Sequence, residues 1–295
     1  MQKTEVKTND RESVSALLPK RIRDSHKGTY GKCAVVGGSL AYTGAPYLSA
    51  SACLRSGVGY VALFVPKGIL PYYVLKAPEV LLRPLQGETE FVFDKKFLSE
   101  LLPYDAVAYG MGMGATEDVL KGAKYLLKHY EGKLLLDADG LNALATLDEG
   151  ELVSLFANKK CKVVLTPHLK EFERLSKKEI AESKKEGLPF LKAFAKKLGV
   201  TLLLKGATTT IVDETGEAVL NTTGCTALSK GGSGDVLSGL IAGLMASGVS
   251  ATDGARLGAY LLGRSAELAS ETLGERSTTP TDVISYLGRA FLGLE

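Results

Sequence analysis

The sequence predicts an α/β protein in which helices cover a largely parallel sheet, and three observations carry that expectation. Short apolar runs alternate with longer amphipathic segments, the pattern of successive βα units. A composition of 45% hydrophobic and 23% charged residues is that of a compact globular chain rather than a disordered or fibrous one. The 33 glycines suit tight turns between strand and helix. At 295 residues the chain is near the upper size of one domain. With no Pro- or Ser-rich linker and no repeat, it reads as one domain over residues 26–295, preceded by an arm or first helix over residues 1–25 packed outside it.

In chain order, candidate strands fall at residues 33–36, 60–65, 106–109, 134–136, 163–165 and 201–204. Apolar residues at helical spacing mark residues 44–55, 117–129 and 188–198, and Leu198-Gly199 reads as a helix C-cap leading into a strand. Beyond Lys205, residues 209–212, a turn at Asp213-Glu214-Thr215-Gly216 and residues 218–220 predict a β-hairpin. Three helical stretches follow, over 234–247, 251–272 and 281–292.

The net charge is only +3, and the basic residues are interspersed with acidic ones, as in Lys177-Lys178-Glu179 and Glu182-Ser183-Lys184-Lys185-Glu186. These runs read as solvated helix faces, which excludes nucleic acid as a partner. Cys33, Cys53, Cys161 and Cys225 are too scattered for a zinc site and read as buried free thiols in a reducing compartment. The polar N-terminus is unlike a signal or transit sequence, and no apolar run reaches the roughly 20 residues that span a bilayer. A cytoplasmic protein without membrane contact is expected.

Several strand ends carry chemistry. Gly231-Gly232-Ser233-Gly234-Asp235 opens an apolar helix, where glycines let backbone N–H groups turn inward and the helix dipole favours an anion. Asp235 there is either a helix cap or a reacting carboxylate. Lys205-Gly206-Ala207-Thr208-Thr209 ends a strand and would place Lys205 toward phosphate charge in the same crevice. Thr166-Pro167-His168 leads into a helix on which His168 and Glu171 share a face. His168 can bond a ligand, and Glu171 either favours the helix dipole or holds water around magnesium. Gly110-Met111-Gly112-Met113-Gly114 permits close backbone approach to a flat ligand or phosphate. Asp137 and Asp139 would organise magnesium or a phosphate-side lysine, or Asp139 would cap a helix.

These segments, in this order, resemble the ribokinase-like superfamily, and within it the ADP- or ATP-dependent NAD(P)H-hydrate dehydratases, also called the YjeF C-terminal domain family. The resemblance covers roughly residues 20–292. It includes Lys27-Gly28-Thr29-Tyr30-Gly31-Lys32, Val35-Val36-Gly37-Gly38-Ser39, Thr43-Gly44-Ala45-Pro46 and Arg55-Ser56-Gly57-Val58-Gly59 besides the motifs above. Met111 stands where the family usually has proline, and Lys170 where it commonly has glycine; neither position carries a reacting group.

The resemblance implies a ribokinase-like three-layer αβα sandwich with a mostly parallel central sheet. It implies an enzyme that restores the S epimer of hydrated NADH or NADPH by phosphorylating the C6 hydroxyl from ADP or ATP, with magnesium, and eliminating phosphate. By the same resemblance Asp235 is the catalytic base. Ala45, Gly112 and His168, with Asp235, contact the hydrated dinucleotide. Lys205, Gly206, Ala207, Thr208, Thr209, Gly232, Ser233 and Gly234 hold the nucleotide, and Glu171 touches magnesium through water. A homotetramer and a separate chain carrying the epimerase activity complete the expectation. The alternative is a kinase of the same fold acting on a vitamin-precursor alcohol such as hydroxyethylthiazole, which would release a stable phosphoester. The His168 segment and the Lys27–Lys32 turn favour the dehydratase. A Rossmann dehydrogenase is set aside, because Gly37-Gly38-Ser39 lacks the required glycine spacing.

Overall fold

The computed structural model describes residues 6–179 and 184–295. Among them ten strands form one sheet in the order β1-β10-β9-β8-β7-β6-β5-β2-β3-β4. The strands are β1 Lys7–Thr8, β2 Lys32–Gly37, β3 Tyr60–Pro66, β4 Leu81–Leu85, β5 Ala106–Met111, β6 Lys133–Leu136, β7 Lys162–Leu165, β8 Thr201–Leu204, β9 Thr209–Val212 and β10 Ala218–Asn221. From β4 across to β8 every neighbouring pair is parallel; β9 runs against β8 and β10.

Eleven helices flank the sheet among the described residues: α1 Arg11–Ser15, α2 Gly44–Arg55, α3 Lys95–Ser99, α4 Glu117–His129, α5 Asp139–Leu144, α6 Glu149–Ala157, α7 Leu169–Ser176, α8 Lys184–Leu198, α9 Ser233–Ala246, α10 Ala251–Leu273 and α11 Pro280–Leu292. Strand side chains alternate between two cores, as period-two geometry requires. Cys33, Val35, Leu63 and Ala108 face the layer of α2, α9, α10 and α11, while Ala34, Val36, Phe64 and Tyr109 face the layer that includes α4 to α8. This is the three-layer αβα sandwich expected.

The elements read from the sequence are present, most of them extended by one or two residues. Leu198-Gly199 ends α8 with Gly199 at φ +59, and Asp213 closes the β9–β10 turn by accepting from the N–H groups of Thr215 and Glu217. Helix α8 begins a turn earlier than its apolar spacing suggests and carries Pro189 inside it. Strand β4 escapes a periodicity search because it contains Pro84 and lies on the sheet edge, where a missing donor is tolerated. At the other edge β1 pairs parallel with β10, the buried Asn9 side chain bonds Asn221 and the Arg256 carbonyl, and Val14 of α1 is fully buried. Part of the segment expected outside the domain is therefore woven into it.

The charged runs meet the helices expected of them only in part: Lys184, Lys185 and Glu186 open α8. Lys177 ends α7 in the left-handed region at φ +57, so Lys177, Lys178 and Glu179 lie beyond the helix, while Glu182 and Ser183 fall outside the described residues. Among the described residues no helix is long and apolar enough to cross a membrane. All four cysteines are free; Cys33, Cys53 and Cys161 are buried and Cys225 is half-buried.

Helix α9 is the element the site depends on, and it lies unusually close to α2. A methyl group on Gly239 would stand 1.9 Å from the Ser49 carbonyl oxygen, so only glycine permits this approach. The substitution Gly239→Ala is expected to lower stability by about 1–3 kcal/mol through overpacking, despite alanine's roughly 1 kcal/mol helix advantage. Urea unfolding would show it as a lower midpoint with unchanged slope. An unchanged or raised midpoint would contradict the packing described.

Candidate active site

Strand order reverses between β2 and β5: the chain leaves β2 toward β3 and β4, and leaves β5 in the other direction toward β6, β7 and β8. Open α/β sheets bind ligands outside the carboxyl ends of their strands, beside such a reversal. The loops after β2, β5, β6, β7 and β8 open onto that edge, and they carry most of the residues singled out in the sequence. The Lys27–Lys32 turn does not join them. It is a 3-10 turn at the amino end of β2, on the opposite edge.

After β6 the chain passes through Ala138 at φ +47, ψ −116, a conformation that strains any L-residue. The carboxylates on either side of that kink go to different partners. Asp137, 2% exposed, accepts from Lys205 Nζ at 2.9 Å and from the Ser238 hydroxyl at 2.6 Å. Asp139 accepts from the Gly114 N–H at 2.7 Å and from the Asn142 amide at 3.3 Å. Of the three sequence readings for these residues, the lysine partner is the one realised by Asp137, and Asp139 is not the cap of α5, whose N-cap is Ala138 with no side-chain cap bond.

Lys205 follows β8, and its N–H donates to the Pro167 carbonyl at 2.9 Å, which sets the Lys205 turn beside His168. Its ammonium also lies 3.8 Å from Glu171 Oε2. Burial alone would weaken that ammonium's hold on its proton, but Asp137, Glu171 and Asp235 outweigh burial and raise its pKa. Glu171 and His168 form a reciprocal cap on α7: the His168 N–H donates to Glu171 Oε2 at 2.8 Å, and His168 Nδ1 accepts from the Glu171 N–H at 3.3 Å.

Asp235 sits in the first turn of α9, where the Ser49 hydroxyl fixes it by donating to its main-chain carbonyl at 2.8 Å. Among the described residues no donor hydrogen-bonds its carboxylate. Burial and then the Asp137 charge raise its pKa, Lys205 pulls it down, and Asp139 and Glu171 add to the rise. The outcome is about 7 instead of the ordinary 3.8. A carboxylate tuned to neutrality in a cleft is the expected form of a general base.

On one side of Asp235 a cleft of about 510 Å³ opens, walled by Lys205, Gly206, Ala207, Thr209, Ser233 and Gly234 over a floor that includes Leu228 and Leu237. A methyl on Gly234 would stand 3.4 Å from Lys205 Nζ, which shows how closely the helix mouth faces the ammonium. The Ser233 hydroxyl is the one buried side-chain polar atom without a partner among the described residues. Such an orphan in a helix's first turn marks a place where a ligand completes the hydrogen bonding. Thr208 is exposed and lies off this wall, and Gly232, at φ +101, turns the chain against Leu48 and Pro280. His168 lines the same wall as Lys205, although the resemblance assigns it to the dinucleotide.

Ala45 and Gly112 meet elsewhere, at the reversal point. Gly112 has φ +69, and a methyl there would stand 2.7 Å from Tyr42 Cβ and 3.1 Å from Ala45 Cβ. Ser49, one turn beyond Ala45 on α2, ties this side to Asp235. Ser49 and Ser238 were not found by the sequence reading. Ser238 had a signal, since it follows Asp235 by three residues on one helix face. Lys230 does not point its charge at a phosphate: it donates to the carbonyls of Arg276 and Thr278 and pins that loop. Among the described residues no group of three or more His, Cys, Asp or Glu side chains is arranged to hold a metal ion.

The chain matches the family model described as NAD(P)H-hydrate dehydratase over residues 33–289. It is 35% identical over 266 residues to the ADP-dependent (S)-NAD(P)H-hydrate dehydratase of Cenarchaeum symbiosum, covering 89% of each chain. It is 35% identical over 293 residues to the bifunctional NAD(P)H-hydrate repair enzyme Nnr of Thermofilum pendens, covering 98% of this chain and 54% of that one. The chain spans about half the length of the bifunctional relatives it matches. Its fold is similar to the ADP/ATP-dependent NAD(P)H-hydrate dehydratase of Bacillus subtilis co-crystallised with ATP/Mg2+, with TM-score 0.84, 29% identity and coverage of 99% of this chain and 100% of that one.

The raised Asp235 value has a measurable consequence for stability. The folded chain binds this proton more tightly than the unfolded one, so the stabilisation is full below about pH 4 and is lost as pH rises through about 7. Replacing Asp235 by asparagine removes the loss. In urea unfolding, Asp235→Asn is expected to gain on the natural chain between pH 5 and pH 8, on the order of 1–4 kcal/mol. A difference independent of pH would contradict the raised value.

Proposed function

The chain belongs to the NAD(P)H-hydrate dehydratase family, and from that premise we propose that it restores the S epimer of hydrated NADH or NADPH at the expense of ADP or ATP. The observation that carries the reading is Asp235, a carboxylate with a near-neutral pKa at the mouth of α9, next to both the Lys205 cleft and α2.

The chemistry follows from what must leave. Hydroxide is a poor leaving group, so the C6 hydroxyl is first made into a phosphate ester. Asp235 takes its proton as the oxygen attacks the terminal phosphoryl group, and AMP departs from ADP, or ADP from ATP. The nicotinamide ring nitrogen then pushes its lone pair toward C6, the C6–O bond breaks to release inorganic phosphate, and C5 gives up a proton to restore the double bond.

The nucleotide occupies the 510 Å³ cleft, its base over the Leu228 and Leu237 floor and its phosphates toward Lys205 and the Gly234 N–H, the Ser233 N–H being spent on the Lys230 carbonyl. The orphan Ser233 hydroxyl gains a phosphate oxygen as partner. Gly206, Ala207, Thr208 and Thr209 follow the adenosine side, and Gly232 shapes the phosphate loop. Ala45 and Gly112 hold the hydrated ring on the other side of Asp235, while His168, on the Lys205 wall, faces the nucleotide.

Magnesium fits as an ion carried by the phosphates and waters, because the nearby carboxylates are already bonded: Asp137 to Lys205 and Ser238, Asp139 to Gly114 and Asn142, Glu171 to His168. Glu171 would reach it through water, and the ion would neutralise phosphoryl charge.

Incubation with hydrated NADH, magnesium and ADP or ATP is expected to return the absorbance of the dihydronicotinamide, with one inorganic phosphate per ring restored. The rate should rise with pH through about 7 as Asp235 loses its proton. Asp235→Asn should cut kcat about 10²- to 10⁴-fold while nucleotide still binds. A persistent phosphorylated product would instead favour a kinase acting on an alcohol. No recovery with either nucleotide would overturn the proposal.

A further inference from the structure

We propose that a cationic hollow between α5 and α7 receives the ribose 2′-phosphate of hydrated NADPH, making Arg174 and Lys177 the residues that separate the two cofactor hydrates. This rests on the substrate reading above.

The hollow measures about 650 Å³ and is lined by Ala115, Asn142, Thr146, Glu173, Arg174 and Lys177, none of which has a place in the chemistry just described. It is tied to the substrate side of the site by chain and by hydrogen bonds. Ala115 is three residues beyond Gly112. A hydrogen-bonded chain links the glycine run to the hollow: the Gly114 N–H donates to Asp139, the Asn142 amide donates to the other oxygen of Asp139, and Arg174 Nη2 donates to Asn142 Oδ1 at 2.9 Å. A dinucleotide whose hydrated ring rests against Gly112 can therefore extend along the mouths of α5 and α7 with its far end in this hollow.

The chemistry of the lining selects a compact dianion. Arg174 is exposed and spends one N–H on Asn142, leaving the rest of a planar fork that matches phosphate oxygens. Lys177 reaches the same hollow because it stands in the left-handed conformation that ends α7, with its ammonium on the Ala145 carbonyl. The acidic neighbour Glu173 is paired with Lys170 at 3.3 Å, so two cations face the hollow against one compensated carboxylate. A ribose hydroxyl, as in hydrated NADH, has no charge for these groups to meet.

The test compares the natural chain with the double variant Arg174→Gln/Lys177→Gln. With hydrated NADPH, kcat/KM should fall about ten- to a hundredfold, carried by KM, which is the scale of losing charge-assisted hydrogen bonds. With hydrated NADH it should change less than about twofold. An equal loss on both substrates, or no loss on either, overturns the proposal. Calorimetry with 2′-phospho-ADP-ribose and ADP-ribose tests the hollow without turnover: the natural chain should prefer the phosphorylated probe, and the variant should lose that preference. Equal binding of the two probes by the natural chain also overturns it. If the natural chain turns over neither hydrate, the substrate reading fails, while the two probes still decide whether the hollow takes a phosphate.

Discussion

Four carboxylates crowd the carboxyl edge of the sheet, three of them acting on the ammonium of Lys205, and that imbalance of charge governs the site. Asp137 takes the ammonium and the Ser238 hydroxyl, Asp139 takes the Gly114 N–H, and Glu171 takes the His168 N–H. Asp235 is left without a hydrogen bond to its carboxylate among the described residues. Burial then costs it more than Lys205 returns, and its pKa moves to about 7. The proton affinity of the base is thus set by what its neighbours are already bonded to, rather than by a dedicated partner. Lys205 is held in place by the same arrangement and still faces the cleft where a phosphate would bring further negative charge.

The fold supplies this crowding cheaply, because parallel neighbours end side by side. Asp137 follows β6, His168 follows β7 and Lys205 follows β8, so residues far apart in the chain arrive within bonding distance through strand register alone. Helix α9 closes the cluster from above. Its placement depends on the close approach of Gly239 to Ser49 and on the Ser49 hydroxyl that fixes the Asp235 carbonyl. A helix displaced by the width of a methyl group would carry Asp235 and the orphan Ser233 hydroxyl away from the strand ends.

Much of this could be read from the sequence, and the parts that could not have identifiable causes. The parallel strands are continuous apolar runs because both faces of the sheet are buried, and the hairpin announced itself by its Asp213 to Gly216 turn. Strand β4 hid behind Pro84, and β1 is too short to show any period. At the site, glycine and charge at strand ends marked the right loops, and Lys205 and Asp137 were both singled out. Their mutual bond, and that of Ser238 to Asp137 across 101 residues, belong to tertiary structure and have no local signature. The Lys27–Lys32 turn pointed to the right family without belonging to the site: it is a 3-10 turn at the amino end of β2, on the opposite edge of the sheet.

The central claim is that the surroundings of Asp235 make it a base at neutral pH, and titration of its side-chain carboxyl carbon by ¹³C NMR tests that most directly. The signal is assigned by its disappearance in Asp235→Asn. The account predicts a midpoint near 7 in the free protein, falling when Asp137→Asn removes the like charge that raises it most. A midpoint near the ordinary 3.8, unmoved by that substitution, would contradict it.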